Sequence, residues 1–387
     1  WPAVVAAAVL AVALSITELS ATMVLLPPGV PSFAQSLLNQ MHYARDQQVI
    51  ASCILLVLVG TTVAVVMFAL MRLATGRGVQ KLAVAAVLVT AGSGLTAGCD
   101  EIGAAGAAET LGYFGATGRG HGQFIYPRAI ALAADGTLLV VDKTGRVQRL
   151  DEKGEYHGGW TMPQVVAGKP VGLSCGHDGN VYVADTHYHR VMVYSPTGVR
   201  QRQFGKYGTG PGEFIYPTDA ALAPDGRIFV SEYGGNDRIS IFSHEGEFIR
   251  SFGSFGEGEN QFARPAALCV DGGRRALYVA DACNHRIVRY DLAGNLLGVI
   301  GGVGRAKGKL RYPYDVNLLP DGSLIVCEYG NNRLQRFSVD GRSLGTWGQP
   351  GGEPGQLRYP WGVVVDARWR VFVVDSGNDR IQVWRLQ

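Results

Sequence analysis

The sequence lacks an excess of charge of either sign. It has 35 Lys and Arg against 32 Asp and Glu, and only 17% of its residues are charged. Four of the bases (Arg45, Arg72, Arg77, Lys81) and two of the acids (Glu18, Asp46) precede residue 100. The rest is near neutral, which offers no electrostatic footprint for nucleic acid. Six cysteines, at 53, 99, 175, 269, 283 and 327, follow no C-x-x-C or other metal spacing and read as buried free thiols. There is no G-x-S-x-G elbow and no Walker pattern; Gly302 to Lys309 has the wrong spacing. His187 and His189 share one loop without a third ligand, which argues against a metal. No metal or other cofactor is implied.

Lipid-compatible sequence comes first. Residues 3–26 are apolar apart from Glu18, and residues 48–71 form a second apolar stretch. Each is long enough to cross ~30 Å of hydrocarbon as a helix. Arg72, Arg77 and Lys81 come after the second span, which places them in the cytoplasm and the intervening link outside. Glu18 within a span is either functional or snorkels from the outer end of its helix. A third run, Leu82 to Leu95, has the length of a secretory h-region. It ends in Leu95-Thr96-Ala97-Gly98-Cys99-Asp100, which resembles a bacterial lipobox, although Thr96 departs from the usual Leu. That resemblance implies lipidation at Cys99. As lipoprotein signal or third membrane segment, it delivers the chain beyond Cys99 to the outer side of the membrane.

Met71 through Cys99 reads as a complete lipoprotein signal by itself, so residues 1–70 would be the tail of another protein, either truly fused to it or joined by a misread boundary. Thr17-Glu18-Leu19-Ser20-Ala21-Thr22, Leu25-Leu26-Pro27-Pro28-Gly29 and His42-Tyr43 resemble the last two spans of ABC transporter permeases of the iron(III) or phosphonate class. The resemblance implies transporter subunits as partners.

From residue 112 the chain repeats itself. Prolines recur at Pro127, Pro170, Pro217, Pro265, Pro313 and Pro360. Acids keep step at Asp142, Asp185, Glu232, Asp281, Glu328 and Asp375, and arginines at Arg146, Arg190, Arg238, Arg286, Arg333 and Arg380. Each unit holds four short apolar runs separated by turn pairs such as Pro224-Asp225-Gly226. Four strands per unit and six units predict an all-β, six-bladed β-propeller behind an N-terminal α-helical transmembrane region. The unit resembles the NHL repeat, through Phe-x-x-Pro, Asp-Gly, Val-x-Asp and the run Asp281-Ala282-Cys283-Asn284-His285-Arg286. Blade one shortens its acid-to-Arg loop to Lys143-Thr144-Gly145, and blade two lacks the Phe. The last unit holds only three strands, and Thr110–Gly115 matches the outer strands elsewhere, so it should complete blade six and leave no open edge. The expected organisation is 1–75, two membrane helices; 76–99, signal or third segment; 100–109, linker; 110–387, propeller.

The acid and Arg of each unit read as structural ion pairs tying a blade loop. The loops entering the inner strands carry Tyr126, Arg128, Tyr216, Asp219, Arg264, Arg311, Tyr312, Tyr314, Asp315, Arg358, Tyr359 and Trp361. Tyr, Trp and Arg are enriched where proteins bind partners. Asp219 and Asp315, near the channel, read as caps of their strands rather than metal ligands. An amidating lyase with an NHL-like propeller uses channel histidines just after the blade prolines, as the resemblance implies. Here those positions are Arg128, Val171, Thr218, Ala266, Tyr314 and Trp361, without His. The expectation is therefore a non-enzymatic module for a protein, peptide or glycan ligand, displayed outside a bacterial inner membrane, towards the periplasm. Transporter accessory domain and channel-metal hydrolase or lyase are the alternatives.

Overall fold

The computed structural model describes residues 108–386. The membrane spans, the signal with Cys99 and the permease-like tail lie outside the described residues. Among those described, no helix is long and apolar enough to cross a membrane.

Six four-stranded antiparallel sheets succeed one another along the chain. The inner strands are Pro127–Leu132, Gly172–Cys175, Tyr216–Leu222, Pro265–Asp271, Pro313–Leu318 and Pro360–Val365. They line a central cavity of about 370 Å³. A sheet covered by a neighbour on each face buries both sides of its middle strands. Hence Leu138–Asp142, Val181–Asp185 and Leu324–Glu328 are buried at every residue. Outer strands lose one cover and alternate, as Tyr156–Thr161 and Leu296–Gly301 do. Neighbouring blades share apolar clusters; Val141 and Val147 of blade one pack with Leu173 and Val183 of blade two.

The Phe of the repeat is the wedge between blades. Phe124, Phe214 and Phe262 are fully buried, with Leu310 and Leu357 in the same role later. Phe214 lies against Gly205, whose φ is +87° and whose absent Cβ would strike the ring. This is why every blade but the first closes on Phe-Gly or on another large apolar residue and Gly. The junction into blade two has no such Phe and uses Met162 instead.

Ala108–Phe114 pairs antiparallel with Arg380–Leu386, from Ala108 opposite Leu386 to Phe114 opposite Ile381. The N-terminal strand thus supplies the missing outer strand of blade six, as its sequence match predicts. The thiols depart from expectation at one point. Cys327 is buried and Cys175 and Cys269 partly so, but Cys283, in the acid-to-Arg loop of blade four, is exposed.

Candidate ligand site at the mouth of the central cavity

The blade proline organises the entrance. In five blades the register shifts just after it, between Pro127 and Ala129, Pro217 and Asp219, Pro265 and Ala267, Pro313 and Asp315, and Pro360 and Val363. A bulge of this kind re-aims the extra residue. Arg128, Thr218, Ala266, Tyr314 and Trp361 are those residues, and all five line the cavity.

The residue before the proline is unusual as well. Tyr126, Arg264, Tyr312 and Tyr359 have φ of +49°, +58°, +48° and +51°, where side chains are disfavoured. Each is held by its backbone N–H. Tyr126 donates to Asp379 Oδ1 at 2.6 Å and Arg264 to Asp237 Oδ1 at 2.6 Å. Tyr312 donates to His285 Nδ1 at 3.1 Å and Tyr359 to Asn332 Oδ1 at 2.7 Å. Each acceptor immediately precedes the Arg of the previous blade, so these bonds latch blade to blade. The sequence signal was present: Asp, His or Asn stands before five of the six arginines, in residue types that accept hydrogen bonds and tolerate the left-handed region.

Six of the twelve loop residues named from the sequence converge on the cavity: Arg128, Asp219, Arg264, Tyr314, Asp315 and Trp361; Arg311 and Arg358 do not line it. The guanidinium of Arg128 lies 5.4 Å from the Trp361 ring, Trp361 is 4.8 Å from Tyr314, and Arg264 lies 5.1 Å from Tyr314. Blades one, six, five and four therefore contribute one cation–aromatic–aromatic–cation series. The remaining four tyrosines do not line the cavity and pack beside its rim. Tyr126 meets Trp361 edge-on, Tyr359 stacks on Tyr329, Tyr216 packs on Tyr233, and Tyr312 on His285. Tyr233 and Tyr329, each just after a blade acid, were not singled out by the sequence. Tyr233 lines the cavity and Tyr329 is buried beneath Tyr314 and Trp361.

Asp219 and Asp315 occupy equivalent places. Asp219 accepts from its neighbour Ala220 N at 2.9 Å and from Leu268 N, on the next inner strand, at 2.9 Å. Asp315 does the same with Val316 N and Val363 N, each at 2.8 Å. Burial pushes the Asp219 carboxyl up to about 7, and burial with the nearby Asp219 charge also raises Asp315 well above the usual carboxylate range. Both carboxylates are thus occupied in joining inner strands. No His lines the cavity, and among the described residues no three His, Cys, Asp or Glu side chains converge there. The one group of three metal-type donors among the described residues is Asp151, Glu155 and His157, on the outer hairpin of blade one. Asp151 Oδ1 already accepts from Lys153 N and Glu155 N. His187 and His189 lie against Tyr216, and burial lowers the His187 pKa.

The six acid–Arg pairs close at 2.6 to 2.9 Å. Each acid except Asp185 also accepts the backbone N–H two residues before its blade proline. Arg286 goes on to the carbonyls of Glu257, Gly258 and Gln261 in the inter-blade loop. Burial raises the Asp281 pKa to about 6 and also lifts Asp185, Glu232 and Glu328, against the pull of their arginines. In blade two Asp185 Oδ1 is buried without a partner, because the loop before Pro170 does not return to it.

Residues 129–357 match the model of the SMP-30/Gluconolactonase/LRE-like region. The chain belongs to the SMP-30/gluconolactonase/LRE-like family. Residues 357–384, in blade six, match the NHL repeat. No curated protein matches the sequence. Among solved structures, a gluconolactonase from Xanthomonas campestris is similar with a TM-score of 0.53 and 16% identity, over 73% of this chain and 98% of that one. A virginiamycin B lyase from Staphylococcus aureus is similar with a TM-score of 0.50 and 16% identity, over 73% and 99%. An auxiliary nutrient binding protein from Bacteroides thetaiotaomicron has a TM-score of 0.52 and 14% identity, over 67% and 69%. At these identities the likeness is one of fold, and this SMP-30/gluconolactonase-like propeller shares its architecture with enzymes and binding proteins alike.

Proposed function

We propose that this propeller is a non-enzymatic binding module that takes its protein, peptide or glycan ligand at the mouth of the central cavity. The observation that carries the reading is the series Arg128–Trp361–Tyr314–Arg264, four contact-type side chains from four blades meeting at one opening. Bulges hold three of them and a latched backbone holds Arg264, which lowers the ordering cost of binding. The carboxylates that an enzyme would use are committed to backbone N–H groups. Display outside a bacterial inner membrane, on the N-terminal segment and with a transporter subunit as a further partner, belongs to the same proposal.

Peptide and glycan arrays probed with the full chain test it. Binding should be lost in Trp361→Ala and reduced in Tyr314→Phe, with both variants still melting cooperatively. Binding that survives Trp361→Ala contradicts the reading. A lactone- or ester-cleaving activity that disappears with chelator would do so too, and would favour a metal hydrolase.

A further inference from the structure

We infer that the cavity mouth is built for an anion: a small carboxylate or phosphate group bound by Arg128, with the ligand body against Trp361 and Tyr314. The inference rests on the binding reading above and narrows the ligand class.

Arg128 is the residue that points to an anion. It is 4% exposed. Three arginines are buried to this degree among the described residues, and two of them, Arg333 and Arg380, hold Glu328 and Asp375. Arg128 holds no carboxylate, and its buried Nε donates to no acceptor among the described residues. A buried cation that rests on an aromatic ring and has no anion to pair with is among the more expensive arrangements in a protein. The bulge after Pro127 nevertheless directs it into the cavity rather than outward. Tyr314, 3% exposed, adds a hydroxyl that is also buried without a partner. Arg128 and Tyr314, each with one donor left unpaired, line one space with the Trp361 ring, a lining that matches a planar or tetrahedral oxyanion on an apolar body. The acids of the cavity do not neutralise Arg128: Asp219 and Asp315 bond the backbones of other blades, and burial favours their protonated forms.

An uncompensated buried charge predicts a trade between stability and binding. Arg128→Met should raise the melting temperature of the unliganded full chain. It should also abolish the thermal stabilisation given by hippurate or by phenyl phosphate, probes for a peptide-type carboxylate and for a phosphate. Calorimetry with wild type should find at least one of these anions bound at least about tenfold more tightly than neutral hippuryl amide. The anion preferred identifies the source. Tyr314→Phe, which keeps the ring, should weaken that anion without lowering stability. Equal binding of anion and amide would sink the charge claim while leaving the binding reading standing. So would failure of both anions in a protein that still binds array ligands through Trp361. An Arg128→Met protein that melts lower than wild type, or binds the anion unchanged, would show Arg128 to be a packing residue.

Discussion

Asp281 and Arg286 show what a single residue contributes here. The acid is fully buried, and burial wins over its arginine in setting its proton affinity. Breaking such a pair strands a buried charge and costs about 3–5 kcal/mol. Arg286→Met should therefore lower unfolding stability by about that amount in a urea titration, whereas Arg149→Met, at a more exposed pair with Asp135, should cost less than about 1 kcal/mol. Asp219 gives a pH signature. Its pKa is near 4 in an unfolded chain and about 7 in the fold. The folded state therefore holds the proton more tightly. The stabilisation is full below about pH 4 and is lost as pH rises through about 7. Measured against Asp219→Asn, wild-type stability should fall by up to about 4 kcal/mol between pH 4 and 8; a constant difference would remove this carboxyl from the account. At this scale the ion pairs were legible because their spacing repeats. The latches at Asp237, His285, Asn332 and Asp379 were harder to read: an acceptor recurs before the Arg, but its partner is a backbone N–H of the next blade, which carries no residue signature of its own.

Strands and turns were easier to read. Gly after Asp or Glu fixes tight hairpins, and the alternating outer strands betray a single covered face. Blade two was the exception. Without its Phe, the loop ahead of Pro170 loses the wedge, and Asp185 Oδ1 is left alone. The closing strand is the element with the largest consequence. Deleting Ala108–Phe114 uncovers the edge of Arg380–Leu386 and offers it to other chains. The deletion variant should melt lower and self-associate, as light scattering would show; a monomer of unchanged melting temperature would mean that the ring closes without this strand.

The whole molecule is a repeated frame with an unrepeated mouth. Six-fold regularity made the frame visible in the sequence, since a motif that recurs six times cannot be missed. The mouth escaped in part for the opposite reason. Arg128, Tyr314 and Trp361 stand out because they differ from blade to blade, but nothing local says that blades one, five and six bring them together. Closure of the ring does that, and it also separates Tyr126, Tyr216, Tyr312 and Tyr359 from the cavity. Blades two and three contribute Val171 and Thr218 at the same level, so the contact chemistry is gathered on one side of the opening.

That asymmetry makes amide hydrogen exchange on the full chain, with and without the preferred anion probe at saturation, the most direct test of binding at the mouth. Such binding predicts added protection confined to the starts of the inner strands Pro127–Leu132, Pro265–Asp271, Pro313–Leu318 and Pro360–Val365. Protection on the outer strands, or spread evenly over all six blades, would contradict it.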